Sequence, residues 1–135
     1  MHDDRGQTTA FMAVFVVALL VVAGLVIDGG ELLAAKRRAI NEAEGAARAG
    51  AQVLAPGALR RGEAFPDPVR ATLAAEQYLA TAGHDGVVGV DADTVTVTVS
   101  FHQPMLILGI GGLARVAVTG HGSARAAHGP KENSP

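Results

Sequence analysis

Between Arg5 and Asp28 the chain carries no ionisable side chain, and from Ala10 to Ile27 it runs for 18 residues without a polar one. Coiled as an α-helix, such a run covers about 27 Å, close to the roughly 30 Å hydrocarbon core of a bilayer. A core helix of a soluble domain keeps a polar stripe at 3.6-residue spacing, whereas Phe11, Met12, Val14, Phe15, Val16, Val17, Leu19 and Leu20 are apolar on every side. A cleaved secretory signal is the second option, with Arg5 ahead of the apolar stretch. Signal h-regions are shorter, about 7–15 residues, and end at a small-x-small site that Asp28-Gly29-Gly30-Glu31 does not supply. The run is therefore read as a retained membrane anchor, with membrane lipid as its first partner.

With 135 residues in all, at most one modest domain accompanies this span. A net charge of −2 leaves no electrostatic footprint for nucleic acid, so none is expected as a partner. Cysteine and tryptophan are absent and tyrosine occurs once, which removes disulfides, thiolate chemistry and aromatic-lined pockets from consideration.

After the span the pattern changes. Ala35, Ala39, Ala43, Ala46, Ala47 and Gly50 recur mostly every three or four residues among Lys36, Arg37, Arg38, Glu42, Glu44 and Arg48. This spacing predicts an amphipathic helix whose small-residue face admits a close neighbour, either another helix or the chain's own globular part. Thr8 or Thr9 is the expected N-cap, Gly29-Gly30 the expected bend, and Pro56-Gly57 the expected stop. Gly57 to Pro68 reads as a linker or irregular loop. A second helix is predicted from Asp67-Pro68 to Gly83, turning Val69, Leu73, Leu79 and Ala80 inward. From Val87 the period becomes two: Val95, Val97, Val99 and Phe101 alternate with Thr94, Thr96, Thr98 and Ser100. Asp91-Ala92-Asp93 is the expected turn back to Val87–Val90, and Val116, Val118, Gly120, Gly122 and Ala124 the third strand. The fold class is α+β. Its expected segments are an N-terminal stretch (1–9), a transmembrane helix (10–27), an amphipathic helix (28–55), a small domain of one helix and about three antiparallel strands (56–126), and a disordered tail (127–135).

The order of these parts resembles the N-terminal module of TadE/TadG-like proteins of the Tad (Flp, tight-adherence) pilus assembly systems. The residues that carry the resemblance are Arg5-Gly6-Gln7, the apolar Phe11–Ile27, the Asp28-Gly29 step, Lys36-Arg37-Arg38 and the alanine-rich Asn41 to Ala51. The match covers Arg5 to Gln52, about a third of the chain. The resemblance implies a pilus-assembly role, with other Tad pilus assembly or pilin-like proteins as partners. It also implies a peptidase cut between Gly6 and Gln7, a cytoplasmic N-terminus and an exported bulk. Prepilin-like members carry a glutamate before an aromatic shortly after that cut, but Ala10 precedes Phe11 here and no carboxylate lies between Gln7 and Ile27. An unpaired charge is costly in an apolar fibre, so that glutamate can pair with a neighbouring amino terminus. Its absence favours an uncleaved TadG-like anchor or a minor subunit over a polymerising major one. The positive-inside rule pulls the other way on orientation, since only Arg5 precedes the span while Lys36, Arg37 and Arg38 follow it. Treating those three as one face of a structured helix keeps the exported orientation.

No enzyme is expected. His84, His102, His121 and His128 form no zincin spacing, and Asp91 and Asp93 lack the further oxygen ligands of a calcium loop. His121 and His128, seven apart across strand and tail, are expected on opposite faces. Gly109-Ile110-Gly111-Gly112 lacks the lysine and hydroxyl of a phosphate loop. Neither cofactor, metal nor small-molecule substrate follows from these residues. One segment, Pro104 to Leu113, is uncharged and too short to span. It is either a buried strand with a glycine turn or an exposed patch in which Met105, Leu106, Ile107, Leu108 and Ile110 meet a partner subunit or the outer leaflet. Two functions are compatible with all this: a structural component of a Tad-type pilus or secretion assembly, and a membrane-tethered extracytoplasmic binding module.

Overall fold

A computed structural model of the chain describes residues 4–61, 65–112 and 114–127. The predicted tail from His128 to Pro135 lies outside these. The elements are helix α1 (Asp4–Ala51), a 3₁₀ turn (Leu59–Arg61), helix α2 (Pro68–Ala82), strands β1 (Gly86–Asp91) and β2 (Thr94–Pro104), a second 3₁₀ turn (Leu108–Gly111) and strand β3 (Arg115–Arg125). The strands form one antiparallel sheet in the order β1-β2-β3, so the α+β class expected from the sequence is observed. Contacts divide the chain into two compact units, Met1–Ala34 with Gln103–Val116, and Ala35–His102 with Ala117–Pro135.

The helix α1 is already running at Asp4, so Thr8 and Thr9 lie inside it and not at its cap. It also continues unbroken through Gly29 and Gly30, where the sequence had pointed to a bend. A glycine costs about 1 kcal/mol in a helix interior, too little to break a helix this long.

In the second unit α2 begins as predicted. The Asp67 carboxylate accepts hydrogen bonds from the Val69 and Arg70 amides at 3.1 and 3.2 Å, Pro68 takes the first helical position, and Gly83 ends the helix at φ 78°. Its buried face differs from the expectation. Ala71, Ala75 and Leu79 point into the core, while Val69, Leu73 and Ala80 are exposed. The reason is close packing: a carbon added at Gly50 of α1 would meet the Ala71 carbonyl oxygen at 2.9 Å, a spacing only a small-residue face of α2 can accept.

The strands follow the period-two pattern. Val88 pairs with Val97 and Val90 with Val95, and Asp91 faces Thr94 across the turn Ala92-Asp93. Ala92 takes the left-handed φ of 49° in that turn. Val95, Val97 and Val99 are fully buried against Ala43, Ala46, Ala47, Ala51, Ala71, Ala75 and Leu79. Strand β3 turns Val118 and Gly120 fully inward, with Val116, Gly122 and Ala124 half-buried, in the predicted alternation. Its end is fastened to the β1–β2 turn, where the Ala126 amide donates to the Asp93 carbonyl at 2.8 Å and Arg125 Nε lies 3.3 Å from the Asp93 carboxylate. The segment after α1 is more regular than a linker: the Ala55 amide donates to the Phe65 carbonyl and Asp67 to Val53, closing a loop over buried Ala58.

Candidate membrane and assembly site

The span is one face-independent apolar surface. Its most apolar 18-residue window has a mean hydropathy of 3.1 and only 6% of that window is buried, whereas the core helix of a water-soluble protein is mostly buried. Among the described residues it is the single helix long and apolar enough to cross a membrane. Phe11 and Phe15 stack at 6.3 Å on its surface. The expected cleavage pair, Gly6 and Gln7, lies exposed in the first turns of α1.

The exceptions on this surface lie one turn apart. Gly24 and Asp28 are buried, Asp28 to 2% exposure. The Asp28 carboxylate accepts two hydrogen bonds, from the Leu106 amide at 3.1 Å and from the Ile107 amide at 3.0 Å. A carbon added at Gly24 would collide with the Ile107 side chain, so the absent Cβ is what lets Ile107 lie on the helix. The β2–β3 connection thus docks on the last turns of the apolar span by a paired charge-assisted contact and one close aliphatic contact. A carboxylate between two adjacent amides has donors within the chain, where a buried carboxylate without them would be costly. Of the five residues expected to contact a partner, Met105 is buried within the protein, while Leu106 at 72% and Ile110 at 89% are fully displayed and Ile107 is borderline at 36%. The Leu108 side chain lies outside the described set. The segment is a turn containing a 3₁₀ helix, so the buried-strand alternative fails.

Sequence reasoning treated Asp28 as one element of a motif and missed its role. The signal was available: Gly24, Asp28, Ala35 and Ala39 share one helical face at spacings of four, seven and four, and a charge placed on an otherwise small-residue stripe needs a partner.

The second half of the helix carries the small-residue stripe. Ala35, Ala39, Ala43, Ala46, Ala47 and Gly50 are all buried, and they are covered by the chain's own second unit. A Cβ on Gly120 would overlap the backbone of Ala39 and Ile40, and one on Gly122 that of Ala43 and Glu44. Strand backbone therefore lies directly on helix backbone, the two alanines opposite the two glycines. Beside this seam the Lys36 ammonium donates to the Thr119 carbonyl. Arg37 and Arg38 remain exposed.

The titratable residues considered for chemistry are dispersed. His84 Nδ1 and Glu42 Oε2 lie 2.8 Å apart, both buried, but out of hydrogen-bond alignment, and the imidazole stacks on Phe101 at 4.4 Å. The same His84 donates its backbone amide to the Leu79 carbonyl at 3.2 Å, closing the C-terminal end of α2. His121 bonds Thr98 across the exposed face at 3.0 Å, His102 is exposed, and His128 lies outside the described residues. Among the described residues no group of three or more His, Asp or Glu could hold a metal ion.

The helix from its exposed glycine through the span to the end of the alanine stripe is the feature to compare with known proteins. Residues 6–53 match the family model of putative Flp pilus-assembly TadE/G-like proteins. The TadE/G-like stretch coincides with α1 almost end to end, and so includes the span, Gly24, Asp28 and the whole stripe. It supports a pilus-related role for the chain, and its apolar half could span a membrane. No curated protein and no solved structure matches the chain.

Proposed function

We propose that the protein is a membrane-anchored structural component of a Tad/Flp-type pilus or secretion assembly, a TadG-like anchor or minor pilin-like subunit. It keeps its N-terminus in the cytoplasm and its sheet outside, and works by helix packing and subunit contacts without catalysis. Its partners are membrane lipid and other Tad pilus assembly proteins. The observation that carries this reading is the coincidence of the TadE/G-like match with the one helix among the described residues able to span. The missing carboxylate between Gln7 and Ile27 supports an uncleaved anchor over a polymerising subunit. Engagement of Lys36 with Thr119 supports treating the basic cluster as part of a folded unit and not as a topology-setting loop.

The chain has no cysteine, which makes topology directly testable. Ser123 is exposed on β3, so Ser123→Cys introduces one accessible thiol. A membrane-impermeant maleimide is expected to label it in intact cells, with the labelled protein sedimenting with membranes. Labelling only after lysis would overturn the exported orientation. The intact mass of the same sample is expected to retain Met1–Gly6.

A further inference from the structure

From Gln103 to Ala114 the chain again carries no ionisable side chain, and this second uncharged stretch is the turn that docks on α1. Three observations fix where it operates. Its position along the helix is set by Gly24 and Asp28, and Gly24 lies three residues inside the end of the apolar run at Ile27, about 4.5 Å deeper. Two of its large aliphatic side chains, Leu106 and Ile110, are turned outward, while Ile107 lies against Gly24 of the helix. Five of its backbone amides have acceptors within the chain: Met105 donates to Ala114 at 3.0 Å, Ile110 to Ile107 and Gly112 to Gly109 at 3.2 Å each, and Leu106 and Ile107 to Asp28. A turn in bulk water has no need of such closure, whereas a turn in a poorly hydrated layer does. At about ten residues it cannot cross a bilayer, so its place is the boundary between headgroups and acyl chains. Exposed Arg115, immediately after it, can reach headgroup phosphate from that depth.

We infer that the Met105–Ala114 turn is a second membrane contact of this chain, inserting Leu106 and Ile110 into the lipid interface beside the C-terminal end of the span, at a depth set by Asp28. The inference rests on the anchor reading, since the span must lie in the bilayer for its last turns to define an interface.

The test uses the full chain in vesicles of phosphatidylethanolamine and phosphatidylglycerol, with one environment-sensitive fluorophore on Ile110→Cys, Val17→Cys or Ser123→Cys. All three positions are exposed, so labelling leaves the packing intact. Fluorophore at position 110 is expected to be quenched by lipid spin-labelled near the headgroup and to emit at shorter wavelength than at position 123, while position 17 is quenched by lipid labelled deep in the chain. Position 110 behaving like 123 while 17 is quenched would overturn the inference and leave the anchor intact, with the patch then free for a protein partner. Failure of quenching at both 17 and 110 would overturn the two together.

Discussion

Replacing Asp28 by alanine tests whether two backbone hydrogen bonds hold the β2–β3 turn on the helix. The wild-type carboxylate accepts from the Leu106 and Ile107 amides at 3.1 and 3.0 Å and is itself almost fully buried. Hydrogen bonds to a charged group contribute about 1.5–3 kcal/mol each, and the lower figure applies because both bonds are only part-buried. Two such bonds give about 3 kcal/mol, or roughly a hundredfold in the equilibrium for opening the turn. Asp28→Ala is therefore expected to accelerate hydrogen exchange at those two amides by about that factor in detergent micelles or nanodiscs. The Val97 and Val99 amides, in the sheet, are expected to be unchanged. Asp28→Asn keeps one acceptor oxygen but turns an NH₂ toward the other donor, so an acceleration of about tenfold is expected. If the alanine variant exchanged within about threefold of wild type at Leu106 and Ile107, Asp28 would not be what fixes the turn.

Two further substitutions address the second unit. Gly122→Ala places a Cβ into the backbone of Ala43 and Glu44, which cannot yield as a side-chain tip could, so a loss of about 1–3 kcal/mol is expected as a lowered urea midpoint. Ala92→Gly relieves the left-handed φ of 49° in the β1–β2 turn; against the greater freedom of glycine in the unfolded chain, a net gain of up to about 1 kcal/mol is expected as a raised Tm.

The elements of this fold were legible because their signals are local. Asp67-Pro68 and Gly83 delimit a helix by capping chemistry alone, and the alternation from Thr94 to Phe101 leaves no choice of face. What could not be read was mutual placement. Hydrophobicity favours the larger Val69 and Leu73 for the inward face of α2, whereas close approach at Gly50 selects Ala71 and Ala75. The alanine stripe was visible, but its cover, Gly120 and Gly122, was read only as part of a strand. A small residue on one element signals a close neighbour without saying which one. Likewise Asp28 advertised a need for hydrogen-bond donors, yet the donors are main-chain amides 78 and 79 residues later, which have no side-chain signature.

The seam between α1 and β3 joins residues far apart in sequence, Lys36 and Thr119 being separated by 83 positions. A ribosome delivers the alanine stripe some 70 residues or more before its glycine cover. Until β3 emerges the stripe lacks that cover, and it is a row of small side chains of the kind that lets helices approach one another closely. Closure of β3 ends that interval. The length of the wait is set by elongation rate and by the slow pairing of distant segments, so the last-closing seam of this fold is also the one with the longest loop to close.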